Sequence, residues 1–276
     1  MPPRVWTVFA AFVLIGIAIQ AAVMSTGLIC AWWQTGETQI LTLFNRAAAF
    51  EQTHAGFVIC RLPAHLVLLA GTLLLAWRSP QRLCDRLGMT RCRWSVGQWI
   101  VTTGAALVPL LASLCFAAGF VPVLEPIPFT QDIHWGPASA YLFYMTIAPP
   151  FVEELFFRGY MQRRLMQRWP AVPSLLITAV LFTIAHGITP AILVTVFPVA
   201  LWLGMLAWKT GSIWPGCVCH AWLNFLWCGW PVLNQLAGAS PVLSIPFGAY
   251  VIVLAGLCFL LTLSWLRETS NTVVTE

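Results

Sequence analysis

The chain has 276 residues and a mass of 30.5 kDa, with 59% apolar residues, 8% charged residues and a mean hydropathy of +0.82. Soluble domains carry about 25% charge, so the long uncharged runs exclude an ordinary cytosolic protein, a disordered chain and a small secreted scaffold. The net charge of +5 comes from 14 basic and 9 acidic residues, and the bases gather at the ends of apolar runs rather than on an aromatic-studded basic face, which excludes a nucleic-acid partner.

The apolar run from Val5 to Trp33 is too long for a signal-peptide core and reads as a first membrane helix. A polar stretch through Thr35, Glu37, Gln39, Arg46, Glu51 and His54 follows, part of it expected along the interface. Leu62 to Trp77, extended back toward Phe57, makes a second span that runs into the cluster Arg78, Arg82, Arg86, Arg91 and Arg93. Trp99 to Val121 is the third, closed by a loop with Pro122, Glu125, Pro126, Pro128 and Asp132.

Ala138 to Arg163 is the fourth span, and Pro149-Pro150 within it predicts a kink or break just before Glu153. Three short, tightly connected helices are expected over Val172 to His186, Ile192 to Trp208 and Ile213 to Trp227, separated by Gly187 to Pro190, by Lys209 to Gly211, and ended by the Trp230-Pro231 turn. After a loop with Gly238, Pro241 and Pro246, Phe247 to Leu266 is the eighth. The fold class is therefore all-α: a polytopic integral membrane protein of about eight transmembrane helices, forming a single membrane domain over 1–276 and embedded in the lipid bilayer.

Basic residues mark cytoplasmic ends. Arg4, the 78–93 cluster, Arg163, Arg164, Arg168, Lys209 and Arg267 all fall inside if both termini are cytoplasmic, and only Arg46 and Arg61 dissent. The nine cysteines are odd in number and sit mostly in apolar segments, so they read as buried small hydrophobes rather than disulfides. Cys217-x-Cys219 lacks the second pair a zinc knuckle needs.

Once the loops have taken their charges, Glu153, Glu154, Arg158, His186, His220 and Asn224 remain inside apolar helices. Ionisable groups there are costly and mark function or a helix-joining ion-pair network. Glu154 and Arg158 are i,i+4 neighbours that can neutralise each other, while Glu153 is turned about 100 degrees away and can face a cavity. His220 and Asn224 repeat the i,i+4 spacing on another helix.

Such a set suits amide hydrolysis: Glu153 with His186 would deprotonate a water, and His220 with Asn224 would donate to the oxyanion. A serine hydrolase has no support, because no Gly-x-Ser-x-Gly elbow exists and Ser174 and Ser212 lack a catalytic setting. No cofactor is expected; should a divalent metal such as zinc take part, Glu153, His186 and His220 are its candidate ligands, although His-Glu-x-x-His is absent. His54 and His134 read as loop residues, His65 has no motif partner, and Trp222 is expected to line the cavity.

Glu153-Glu154-Leu155-Phe156-Phe157-Arg158, Phe182-Thr183-Ile184-Ala185-His186 and His220-Ala221-Trp222-Leu223-Asn224 resemble, in order, the three motifs of the CAAX-processing and bacteriocin-processing family of glutamate-dependent membrane proteases. The close resemblance covers Ala148 to Asn224. It implies a helical bundle, usually of eight spans, enclosing an intramembrane catalytic cavity, with 99–266 as the family-like catalytic bundle and 1–98 as variable N-terminal helices and basic connector. It also implies Glu153, His186, His220 and Asn224 as catalytic residues, Glu154 and Arg158 as their support, and a membrane-anchored protein or peptide as substrate. The short termini resemble a bacterial inner-membrane member. A nonenzymatic immunity, scaffold or regulatory protein of the same fold is the alternative; a transporter is disfavoured because no inverted repeat is visible.

Overall fold

The computed structural model describes residues 5–77, 81–112, 134–229 and 245–272, with the side chains of the last helix described over 252–267. The expected acidic loop with Glu125 and Asp132, the end of the third span, the Trp230-Pro231 turn and the loop with Gly238 and Pro241 lie outside the described residues. Among the described residues the structure is helical, without a strand. The helices are α1 (Trp6–Thr35), α2 (Ile40–Glu51), α3 (His54–Trp77), α4 (Leu83–Arg86), α5 (Val96–Ala105), α6 (Trp135–Glu154), α7 (Ala171–His186), α8 (Pro190–Thr210), α9 (Trp214–Asn224) and α10 (Ile245–Thr272).

Each of the eight expected spans is helical over its described part, apart from Val5, Ala106 and Ile213. Three of them, α1, α3 and α8, are long and apolar enough to cross a membrane; α1 alone, with 30 residues, is about 45 Å long at 1.5 Å per residue. The segments Val96–Ala112, Ala171–His186 and Ile252–Arg267 are apolar but shorter. With large apolar side chains turned outward along the long helices, including Leu14, Ile17, Leu66 and Leu74, these surfaces suit lipid rather than water.

Local chemistry sets the helix ends. Ser95 and Gln98 form a reciprocal capping box that starts α5 three residues earlier than the apolar run alone predicts. Thr189 caps α8 and Pro190 stands in its first turn, where a missing N–H costs nothing. Along α3, Cys60, Ala64, Leu68, Thr72 and Ala76 are buried at four-residue intervals, and this mostly small-residue stripe lets α1 pack closely along α3. A Cβ on Gly71 would stand only 2.9 Å from Ile15 Cδ1 on α1.

The second span departs from expectation at its start. The helix begins at His54, eight residues before Leu62, and His54 is buried in its first turn against Tyr141 rather than lying in a loop. Arg61, which dissented from the charge pattern, forms an ion pair with Glu51 at 2.6 Å and so ties α3 to α2. His134 lies just ahead of α6, exposed, as expected.

Helix α6 is the hub, packing against α3 and α9, and it too differs from expectation. Pro149 and Pro150 are accommodated within a continuous helix. The backbone departs from α geometry only afterwards, where Leu155–Gln162 winds as a π-helix with all eight residues buried. A wider π turn is a familiar accommodation at functional sites. Leu155, Phe156, Phe157 and Met161 from this stretch, with Leu165 just beyond it, form the main core with Val8 and Ala11 of α1, Leu68 and Ala76 of α3, Phe182 of α7 and Ala200 of α8. A second core joins α5, α8, α9 and α10 through Ala105, Leu203, Leu223 and Leu266.

Candidate active site

A cavity of about 630 Å³ opens between α3, α6, α7, α8 and α9. Glu153, His186, His220 and Asn224 all line it, and so do Phe57 and Arg61 from the N-terminal part of the chain. The four residues nominated as catalytic by sequence are thus brought to one space from three helices. Most of the remaining wall is apolar, with Leu110, Met145, Val196, Val199 and Trp227 among its residues. Trp222 does not line the cavity; it stacks on Phe225 instead, and Trp227, five residues on and within the π turn Phe225–Gly229, takes the wall position.

Glu153 has a side chain 15% exposed, and its two oxygens have different surroundings. Oε2 lies 3.6 Å from His186 Nε2 and 4.0 Å from His220 Nε2, and it has no hydrogen-bond partner among the described residues. Oε1 lies 3.5 Å from Nε2 of His65.

The opposite ring nitrogens of the two motif histidines are held. His186 Nδ1 is 2.8 Å from the Phe182 carbonyl one turn earlier, so Nδ1 carries a hydrogen and donates it, leaving Nε2 as the basic nitrogen turned to Glu153. His220 Nδ1 is 3.1 Å from Glu154 Oε1, the arrangement in which a carboxylate fixes the orientation of a ring.

Glu154 sits on the packed side of α6, wholly enclosed, and accepts a hydrogen bond of 2.8 Å from Arg158 Nη1. Arg158 also donates to the Ala200 carbonyl at 3.0 Å, and its guanidinium lies 4.2 Å from the centre of the Phe182 ring. Phe182 therefore stands between the Arg158 cation and the His186 ring, whose centre is 4.4 Å away on the motif helix. This explains a bulky aromatic one turn before the histidine: it covers a buried cation and forms a wall of the cavity. On the facing helix a Cβ at Gly216 would come within 2.8 Å of Glu154 Oε2, so glycine there is what lets the carboxylate fit.

Asn224 is anchored by a backbone group that proline sets free. Its Nδ2 donates to the Met145 carbonyl at 2.9 Å. In a regular helix that carbonyl would accept from the N–H of residue 149, but Pro149 has none. The second amide hydrogen of Asn224 stays available in the cavity.

Sequence reasoning missed His65 and Tyr144. His65 lies on α3, 88 residues from Glu153, and Tyr144 Oη is 2.7 Å from its Nδ1. The available signal was a histidine inside an otherwise apolar span, which is itself a functional indication. Cys217 and Cys219 are buried free thiols, as expected. Ser174 and Ser212 donate to the Pro170 and Thr90 carbonyls and serve the backbone. Among the described residues no group of three or more His, Cys, Asp or Glu side chains has the geometry to hold a metal ion.

Residues 135–226, about a third of the chain, match the family described as type II CAAX prenyl endopeptidase Rce1-like. The matched stretch contains all six motif residues, and it bears out the family resemblance read from them. It is a peptidase family, and with the apolar helices it marks the chain as a membrane protein. No curated protein and no solved structure matches the chain.

Proposed function

We propose that the chain is an intramembrane endopeptidase that hydrolyses a peptide bond in a membrane-associated protein or peptide through water activated by Glu153 and His186. The observation that carries this reading is the Glu153 carboxylate: it belongs to a residue that lines the cavity, and its Oε2, without a hydrogen-bond partner among the described residues, lies 3.6 Å from the basic nitrogen of His186. A water donating to these two acceptors loses its proton as it attacks the carbonyl. His220, steadied by Glu154, and the second amide hydrogen of Asn224 supply donors for the oxyanion. Glu154 and Arg158 act through position alone.

The apolar wall supports a substrate that arrives from the bilayer with its flanking side chains in lipid-like surroundings. The eight helical segments serve as eight spans with both termini in the cytoplasm, consistent with a bacterial inner membrane. The chemistry proposed is metal-free.

A nonenzymatic scaffold accounts for the buried Glu154, Arg158 and His220 network, yet gives no reason for a second carboxylate, Glu153, to line the cavity beside His186, His220 and Asn224. The test compares protein N- and C-termini in membranes of host cells carrying the wild-type chain or Glu153→Gln at matched abundance. A fragment boundary lost in the variant establishes proteolysis and identifies the substrate; identical termini under conditions where the protein is required favour the scaffold. Repeating the cleavage with chelator-treated protein decides the metal question, with unchanged activity expected.

A further inference from the structure

Helix α3 lies outside the family-like stretch, yet it delivers a third histidine to Glu153. His65 Nε2 faces Oε1, the oxygen that the other two histidines do not approach. The 3.5 Å separation is at the long end of hydrogen bonding, and active-site contacts of this kind tighten when substrate is bound. Neither His65 nor Tyr144 lines the cavity.

The protonation of His65 follows from its surroundings. Its Nδ1 is 2.7 Å from Tyr144 Oη and 3.0 Å from the Arg61 carbonyl. If Nδ1 accepts from the Tyr144 hydroxyl, the ring hydrogen is on Nε2 and points at the carboxylate. If the ring is doubly protonated, Nδ1 donates to the Arg61 carbonyl and Nε2–H again points at Glu153. The remaining tautomer would aim a nitrogen lone pair at a carboxylate oxygen, which is repulsive. Tyr144 is itself buried, on α6, nine residues before Glu153, so its hydroxyl needs this partner.

We infer that His65, oriented by Tyr144, is a positioning residue that holds Glu153 by Oε1 and so keeps Oε2 turned toward His186 and the attacking water. This rests on the reading of Glu153 as general base. It also gives the N-terminal helices a part in the chemistry: the carboxylate is clamped from one side by α3 and used from the other by α7 and α9. Because His65 touches no cavity surface, its removal disturbs the turnover step and not substrate binding.

The test uses the full-length chain in proteoliposomes with a membrane-anchored fluorogenic peptide. His65→Ala is expected to lower kcat by roughly 10- to 100-fold, the usual effect of removing a group that orients a catalytic one, with KM unchanged. His65→Gln, which retains an N–H at similar reach, should recover part of the loss. Tyr144→Phe should give a smaller loss that vanishes in the His65→Ala background, as groups acting through one chain of contacts are not additive. Full kcat in His65→Ala, or equal losses in His65→Ala and His65→Gln with folding intact, would overturn the inference while leaving the Glu153 reading in place. Full activity in Glu153→Gln would instead overturn that reading. A readout independent of turnover is the ¹⁵N signal of histidine-labelled protein. The His65 signal should show the hydrogen on Nε2 and move in both Tyr144→Phe and Glu153→Gln; a signal indifferent to both substitutions overturns the clamp.

Discussion

Glu153 lines the cavity with three histidines within 4.0 Å of its carboxylate, whereas Glu154, one residue on, is wholly enclosed and held through Oε1 by Arg158 and His220. The same side chain is thus placed in two settings by a rotation of about 100 degrees around one helix. On the packed side, desolvation is offset by a guanidinium and an imidazole: the carboxylate ties α6 to His220 of α9, and Arg158 extends the tie to the Ala200 carbonyl of α8. On the cavity side, three imidazoles surround the carboxylate. The difference teaches that two adjacent acids on one intramembrane helix are given different surroundings by where they point, one lining a cavity among imidazoles and the other tied to a guanidinium inside the packed bundle.

The comparison breaks most sharply at Glu153 itself. Glu153→Gln keeps the size and removes the base, so cleavage per folded molecule should fall by about 10⁴-fold, the upper range for a general base, while thermal unfolding in detergent stays at the wild-type temperature. A coincident loss of stability would make Glu153 a strut like its neighbour.

Arg158→Ala attacks the other side. It leaves Glu154 buried without its cation and should cost about 3–5 kcal/mol of stability, read by denaturation in detergent, with a secondary loss of activity through His220. Full stability and full activity together would sink the role given to this pair. Gly216→Ala presses a methyl group toward Glu154 Oε2 and should cost about 1–3 kcal/mol, as overpacking does, with no change in KM. Equal stability would mean that the helix interface yields where the close approach says it should not.

The smallest expected effect sharpens the comparison along α6. Pro149→Ala supplies an N–H that competes with Asn224 for the Met145 carbonyl, and a hydrogen bond worth about 1 kcal/mol should translate into a several-fold drop in kcat without a loss of folded protein. Stopped kinetics on the purified variant would show it, and unchanged kcat would mean that Asn224 keeps its place without that anchor.

Much of this was legible before any coordinates. The apolar runs located the helices because a bilayer-length stretch without charge has few other uses, and the spacing of Glu154 and Arg158 named the ion pair because i,i+4 neighbours share a helix face. The order of the three motifs pointed to residues that do line one cavity. Less legible were the helix starts, since the second span extends back through polar residues to a buried His54, and the effect of Pro149-Pro150, whose missing hydrogen bonds are absorbed within a continuous helix.

By itself, then, the sequence determined the helical, membrane-embedded character of the chain and the residues that share a turn, since both depend on local composition and the 3.6-residue period. The tertiary structure alone decided that His65 reaches Glu153 across 88 positions, that Glu154 holds His220, and that Asn224 takes up the carbonyl left by Pro149. These contacts join different helices, and their existence depends on the relative rotation and register at which the helices pack, quantities that no single helix's periodicity contains.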